Sequence, residues 1–322
     1  MDKDKSAFQK SLKNKPLIFT VVPLRDSKTG DPTHDRKILR SIENRISEVS
    51  EYLSEFPKLT AVNVPELVEE NHEGKPRYNS IYTRKLAQGI ADGIGREAII
   101  NKVVVHMESY DEFADWIEET ESQGIKNVVI VGGNTRHHRY SGPNVSEANL
   151  LVKHLIKIER LNNITIGNIC LPERNGEARR MLYKTISGAD FFTTQMLFES
   201  DHIVNLLKEY AELCKKAELE PATIILSFAP LKSVADLNLL DFLGVDLPDE
   251  TKDYILETEG VSDAYKRSIK NALKVYSDIM EKKPEFYEMV NLGINIEQLT
   301  KSNMPYSLEM LREFYDLTKK IN

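Results

Sequence analysis

Cysteine is scarce: Cys170 and Cys214 are the two in 322 residues. Two thiols cannot build a four-thiolate zinc or iron–sulfur site by themselves, nor a disulfide framework. No stretch approaches the ~18 consecutive apolar residues of a membrane span. The opening MDKDKSAFQK alternates charges and has no hydrophobic core of a signal peptide. An excess of positive charge is missing as well, with 43 Lys and Arg against 50 Asp and Glu and a formal net charge of −7. That balance argues against a nucleic-acid binder. The expectation is a soluble, cytoplasmic protein with neither nucleic acid nor a membrane as partner.

What is present is a globular mixture, 41% hydrophobic, 29% charged and 8% aromatic. A chain of this length buries a full core without metal or disulfide staples. Its length suits two average domains or one eight-stranded α/β barrel. Short β-branched runs recur, each followed by an amphipathic stretch. They cover 16–22, 59–64, 98–106, 127–131, 164–169, 190–194 and 223–228, with an eighth near 287–294. After the first run, Ile38, Leu39, Ile42, Ile46, Val49 and Leu53 form one stripe at helical spacing. Further helical patterns lie at about 147–161, 175–187, 201–217 and 233–242. Near-continuous apolar strands alternating with helices argue for a parallel sheet covered by helices. Eight repeats close most naturally into a (β/α)8 TIM barrel, with a doubly wound sheet as the alternative. The charged helical stretch 249–285 interrupts the rhythm before the last strand. It reads as an insertion, so residues 1–322 are expected to form a single domain.

In such a barrel, residues leaving the C-terminal ends of the strands converge. Those positions hold Thr20 and Arg25, Asn63 and Glu66, His106 and Glu108, then Gly133, Asn134 and Arg136. They continue with Asn168 and Glu173, Gln195, Pro230 and Lys232, and Asn295 or Glu297. The set is rich in amides and poor in nucleophiles, which suits a flat polar ligand held by hydrogen bonds. Gly132-Gly133 lacks the third glycine of a dinucleotide fingerprint and the Lys-Ser/Thr of a P-loop. Arg136-His137-His138-Arg139 has no accompanying carboxylate or cysteine at ligand spacing, so no metal site is expected. It reads as a solvated cationic loop or an anion clamp. His106 closes an apolar strand and Asn63 interrupts one; each is equally readable as a satisfied buried polar group. Arg179, Arg180 and Lys184 lie within about one helical turn and are also readable as a solvated face. Cys170 reads as a small buried hydrophobe.

The run 187–198, SGADFFTTQMLF, resembles a signature of the methylenetetrahydrofolate reductase family. The likeness extends in order through Leu59–Val64, Val104–His106, GIKNVVIVGG at 124–133, IGNICLPER and LSFAPLKS. It covers roughly residues 16–250. The resemblance implies a barrel that binds a flavin, FAD with FMN or no flavin as alternatives. Reduced flavin would pass hydride to 5,10-methylenetetrahydrofolate. By resemblance Asn63, His106, Asn134, Arg180 and Lys184 fall where the family holds the flavin, and Gln195 where it holds the pterin.

The chain departs from the family at two carboxylates. Opening the folate ring needs an acid to protonate the leaving nitrogen. The family's glutamate on the first strand is here Thr20, and the aspartate after the fourth strand is here Asn134. Glu66, Glu108, Glu173 and Glu297 stand near strand ends as possible replacements. Glu66 and Glu108 are expected to be catalytic, because the second and third strands lie close to the first in a barrel. The function expected is thus flavin-mediated hydride transfer to a folate-type carrier. The alternatives are a pterin-binding barrel without hydride chemistry, serving a partner protein, and a pterin-dependent methyl-transfer enzyme. A homo-oligomer or a partner subunit is compatible with either.

Overall fold

The computed structural model describes residues 5–25, 32–70, 76–78, 80, 82–133, 140–245, 247–256, 263–282 and 289–320. All eight apolar runs become strands. In chain order they are β1 (Leu17–Thr20), β2 (Ala61–Val64), β5 (Glu97–Val103), β6 (Asn127–Val131), β7 (Thr165–Cys170), β8 (Phe191–Met196), β9 (Thr223–Phe228) and β10 (Leu292–Glu297). A small antiparallel hairpin, β3 (Val68–Glu70) and β4 (Pro76–Tyr78), follows β2. The eight strands close in the order β1-β10-β9-β8-β7-β6-β5-β2, a barrel with helices between its strands. This is the (β/α)8 class that the alternation predicts. The strands β2 and β9 are buried along their whole length, as strands covered on both faces must be.

The helices are α1 (Ala7–Ser11), α2 (Pro32–Leu53), α3 (Thr83–Ile94), α4 (Tyr110–Ser122), α5 (Val145–Lys157), α6 (Glu177–Ile186), α7 (Asp201–Lys216), α8 (Val234–Phe242), α9 (Asp249–Leu256), α10 (Ala264–Glu281) and α11 (Met304–Lys320). Three of them lie between β9 and β10. The long amphipathic α10 places Tyr276 edge-on to Phe228 of β9, while Phe228 stacks on Phe314 of α11 at 4.9 Å. It therefore covers its strand as a barrel helix does. The span expected as an insertion is helical over α9 and α10, and its last residues, 283–285, lie outside the described ones.

The chain divides into two compact units. The first comprises residues 1–12, 23–169 and 183–191. Within it, α3 packs on α2 through two glycines. A Cβ on Gly89 would meet Ile46 Cδ1 at 2.5 Å, and one on Gly93 would meet Ser50 Oγ at 2.5 Å. Close approach of the helix backbones is what these glycines permit. The short α1 is capped by Ser6, whose Oγ accepts from Gln9 N at 3.0 Å and donates to Asn127 Oδ1 at 3.3 Å. Asn127 in turn donates to Glu97 Oε2 at 2.9 Å, and Glu97 Oε1 accepts the Ala7 N–H at 2.6 Å. These residues open β5 and β6, so α1 is fastened at the N-terminal ends of those strands. Phe8 is fully buried there, edge-on to Phe191 at 5.4 Å.

The second unit comprises residues 13–22, 170–182 and 192–322. Its parallel pairs β1·β10 and β10·β9 set Thr20 opposite Glu297, and Asn295 opposite both Ile18 and Ser227. An apolar cluster that includes Met196, Phe198, Leu231, Leu237, Leu240 and Ile255 seats α8 and α9 beside the ends of β8 and β9. Truncating the plug of the first unit, Phe8→Ala, is expected to cost about 3–5 kcal/mol, because the ring leaves a cavity that neighbours cannot fill. A urea titration of wild type and variant, read as a change in midpoint at constant slope, measures it.

Candidate functional site

In the second unit, alternate residues at the strand ends share one face and bond to one another across β1, β10, β9 and β8. Thr20 Oγ1 donates to Asn295 Oδ1 at 2.8 Å. With its oxygen committed to Thr20, the Asn295 amide turns Nδ2 toward Ser227 Oγ and Glu297 Oε1, both at 3.1 Å. Ser227 Oγ is shared with Thr193 Oγ1 at 3.1 Å, and Ser227 N donates to Thr194 Oγ1 at 2.9 Å. Gln195, two residues along β8 from Thr193, is half-buried. It donates to Leu243 O and accepts from Met196 N, each at 3.2 Å. The row is neutral except for one carboxyl. The row links Thr20, Asn295 and Glu297, and the expected pterin residue Gln195 stands two residues along β8 from its member Thr193 with bonds of its own.

Glu297 sits where solvation of a charge is poor. Burial pushes its carboxyl up to about 7, against the opposing pull of hydrogen bonds from Ser227 and Asn295. No lysine, arginine or histidine among the described residues pairs with it. Sequence position alone could not single it out, because four glutamates stand near strand ends and desolvation is a property of the packed barrel.

The first unit holds Asn63, His106, Glu66, Glu108 and Lys184. Glu66 accepts from Lys102 Nζ at 2.8 Å and from the Val103 N–H at 3.0 Å, with both charged side chains about 10% exposed. Its oxygens are thereby taken up by a cation and a backbone donor. Glu108 is exposed on the loop before α4. Asn63 is buried on β2. The half-buried His106 packs edge-on to Tyr140 at 5.3 Å. Tyr140 also lies directly on Gly133, where a Cβ would overlap its ring. The residues after Tyr140 are fixed over the end of β5 by Ser141 Oγ donating to Met107 O at 2.8 Å and Gly142 N donating to Val105 O at 3.0 Å. A side chain on Gly142 would strike the Val104 carbonyl, so glycine is required there. Lys184 Nζ donates to Ile169 O at 2.7 Å.

Asn168 exchanges hydrogen bonds with Asn149 of α5 at 2.8 and 3.2 Å. Both amides are fully buried, so this pair joins strand to helix. In the second unit Arg180 Nη1 donates to Asn175 O at 2.6 Å and lies 3.8 Å from the buried Glu177. Asn134, Arg136, His137, His138 and Arg139 lie outside the described residues. Cys170 is buried, as a small hydrophobe on an apolar strand is expected to be. Glu173 lines a separate cavity of about 570 Å³ with Asp201, Lys274 and Lys282, where Lys282 is tied to Asp201 at 2.7 Å. Among the described residues no group of three His, Cys, Asp or Glu side chains is arranged to hold a metal, and no helix is long and apolar enough to cross a membrane.

The fold and site together define a TIM barrel with an amide- and hydroxyl-rich end. A family model described as methylenetetrahydrofolate reductase matches residues 45–291, most of the chain. The chain belongs to the methylenetetrahydrofolate reductase family. Among solved structures it is similar, with a TM-score of 0.72 at 16% identity, to an uncharacterized protein from Clostridium thermocellum that binds two copies of 5-methyl-5,6,7,8-tetrahydrofolic acid. That match covers 96% of this chain and 99% of the other. EDTA monooxygenase from Chelativorans sp. BNC1 is similar at a TM-score of 0.50 and 9% identity, over 94% of this chain and 93% of that one. These likenesses bear on the fold. A search of the curated proteins found no match.

The family implies a flavin; of the five positions that resemblance assigns to it, His106, Lys184 and Arg180 have partners in the chain, Asn63 is buried on β2, and Asn134 lies outside the described residues. Tyr140 packs the His106 ring and covers Gly133, Lys184 is turned onto a strand carbonyl, and Arg180 onto the start of its own helix.

Glu297 also makes stability depend on pH. Its folded-state value of about 7 lies above the ordinary 4.5, so folding favours the protonated form. The stabilisation is complete below about 4.5 and is lost as pH rises through about 7. Glu297→Gln is therefore expected to be more stable than wild type at pH 8 by about 1–3 kcal/mol, with the difference vanishing in acid. Denaturant titrations across that range check the sign.

Proposed function

We propose that the chain binds a reduced folate, a pterin carrying one carbon, at the ends of β8, β9, β10 and β1, and acts on the carbon–nitrogen bonds of that carrier. The observation that carries this is the bonded row from Thr20 through Asn295, Ser227 and Thr193, flanked by Gln195 and Glu297. The pyrimidine ring of a reduced pterin is flat and uncharged, with amide-like donors and acceptors along its edge. A glutamine offers both kinds of partner, and hydroxyls and amides satisfy the remainder without a charge to desolvate. One protonatable carboxyl among neutral groups is the complement of nitrogen chemistry. Cytoplasmic one-carbon metabolism is the setting this reading implies. In it the chain acts without the flavin of the family, a reading supported by the engagement of three of the five inherited positions, His106, Lys184 and Arg180, with Tyr140, Ile169 O and Asn175 O.

Isothermal titration with 5-methyltetrahydrofolate tests the reading. Binding is expected at micromolar concentrations, weakened about tenfold or more in Gln195→Ala, a loss near 1.4 kcal/mol. Absence of saturable binding overturns the folate reading. In parallel, absorbance is followed while FAD and FMN are added. A saturable flavin spectrum that reoxidises when methylenetetrahydrofolate is added to the reduced form would establish the flavin-dependent reductase in place of the flavin-free one.

A further inference from the structure

We propose that Glu297 is the catalytic acid that protonates the leaving nitrogen of a methylene-bridged reduced folate, standing one strand over from Thr20, where the family carries its own. The inference rests on the folate reading above and adds to it the residue that moves the proton.

Its first support is register. In the parallel pair β1·β10, Thr20 and Glu297 are direct partners, so the two positions are neighbours at the same level of the barrel wall. Asn295 then links them, accepting from Thr20 at 2.8 Å and donating to Glu297 at 3.1 Å. Thr20 in this position orients the amide that holds the carboxyl. A second support comes from comparison with other sheltered carboxylates. Glu66 is bound by Lys102 and the Val103 N–H. Asp190 accepts from Ile166 N at 2.8 Å and lies 3.3 Å from Lys153, and both pull against the burial that raises its carboxyl. Asp236 accepts the Lys232 N–H at 2.8 Å, and Glu177 faces Arg174 and Arg180. Each of these has a cation or a backbone donor beside it. Glu297 has neither among the described residues; its donors are a side-chain amide and a hydroxyl. It can hold a proton at neutral pH and release it to a nitrogen beside it. The residue as a whole is half-buried at the end of β10.

The step balances without an added reductant. The carboxyl proton passes to the lone pair of the nitrogen that leaves. The bond from that nitrogen to the bridging carbon breaks, and its electrons stay on the nitrogen. The lone pair of the other nitrogen forms the double bond of an iminium cation. The neutral acid becomes a carboxylate, and the anion so formed favours the cation just created. The open form is what a hydride or a nucleophile attacks.

Cyanoborohydride supplies an external hydride that traps the iminium as 5-methyltetrahydrofolate. The full-length protein is held in excess over methylenetetrahydrofolate, and the rate of methylfolate formation is compared with that in buffer. Wild type is expected to accelerate trapping. Glu297→Gln, shown folded by circular dichroism, is expected to lower the protein-dependent rate by about 10²-fold or more at protein concentrations that saturate the folate, where a change in affinity does not enter the rate. A Glu297→Gln protein that traps as fast as wild type overturns the assignment. So does a loss that appears instead in Glu66→Gln or Glu108→Gln. If wild type binds no 5-methyltetrahydrofolate, the underlying folate reading fails first, and the titration shows it before any trapping is attempted.

Discussion

The parallel pairing of β1 with β10 is the constraint on which the candidate site depends. It places a hydroxyl, Thr20, beside a carboxyl, Glu297, with Asn295 bonded to both. Because side chains alternate along a strand, a slip of β10 by one residue would turn Asn295 and Glu297 to the opposite face, away from Thr20. The buried groups would then lose their partners, at a cost that unpaired polar atoms make steep. The register is held from behind by apolar packing, Phe228 against Tyr276 and Phe314. The polar row and the aromatic layer therefore stabilise one arrangement together.

The two units treat their polar groups differently. In the first, two of the groups that resemblance assigns to a cofactor are taken up by the chain itself. Tyr140 packs His106, and Lys184 reaches a carbonyl on β7. Glu66 and Lys102 form a sheltered ion pair, in which each charge compensates the other. In the second unit the polar row carries no compensating cation, and burial dominates at its carboxyl. Two carboxyls near strand ends thus stand in opposite surroundings, one in an ion pair and one desolvated without a compensating cation among the described residues. Environment, not residue type, makes the difference.

Much of the fold was legible because it is written in short-range patterns. Eight apolar runs became eight strands, and helices fell at α2, α5, α6, α7 and α8 near their expected places. The eighth strand lies a few residues later than its hydrophobic centre suggests, because Asn295 and Glu297 are polar yet belong to the bonded row. The helix α3 was not read from the sequence. Its two glycines weaken the helical signal, and their reason, contact with Ile46 and Ser50 of α2, exists only once the helices meet. The hairpin β3–β4 was also missed, being too short to show a period.

The sequence by itself determined the barrel and the family, since each is a matter of local pattern or of residue identity along a motif. It could also show which glutamates stand near strand ends. Which of them is bound in an ion pair and which is desolvated was decided by tertiary structure. Glu66 met Lys102, 36 residues away along the chain, and Glu297 met Ser227 on the next strand. A carboxyl's proton affinity depends on the charges and the solvent around it, and those are brought together only when the ring of strands closes.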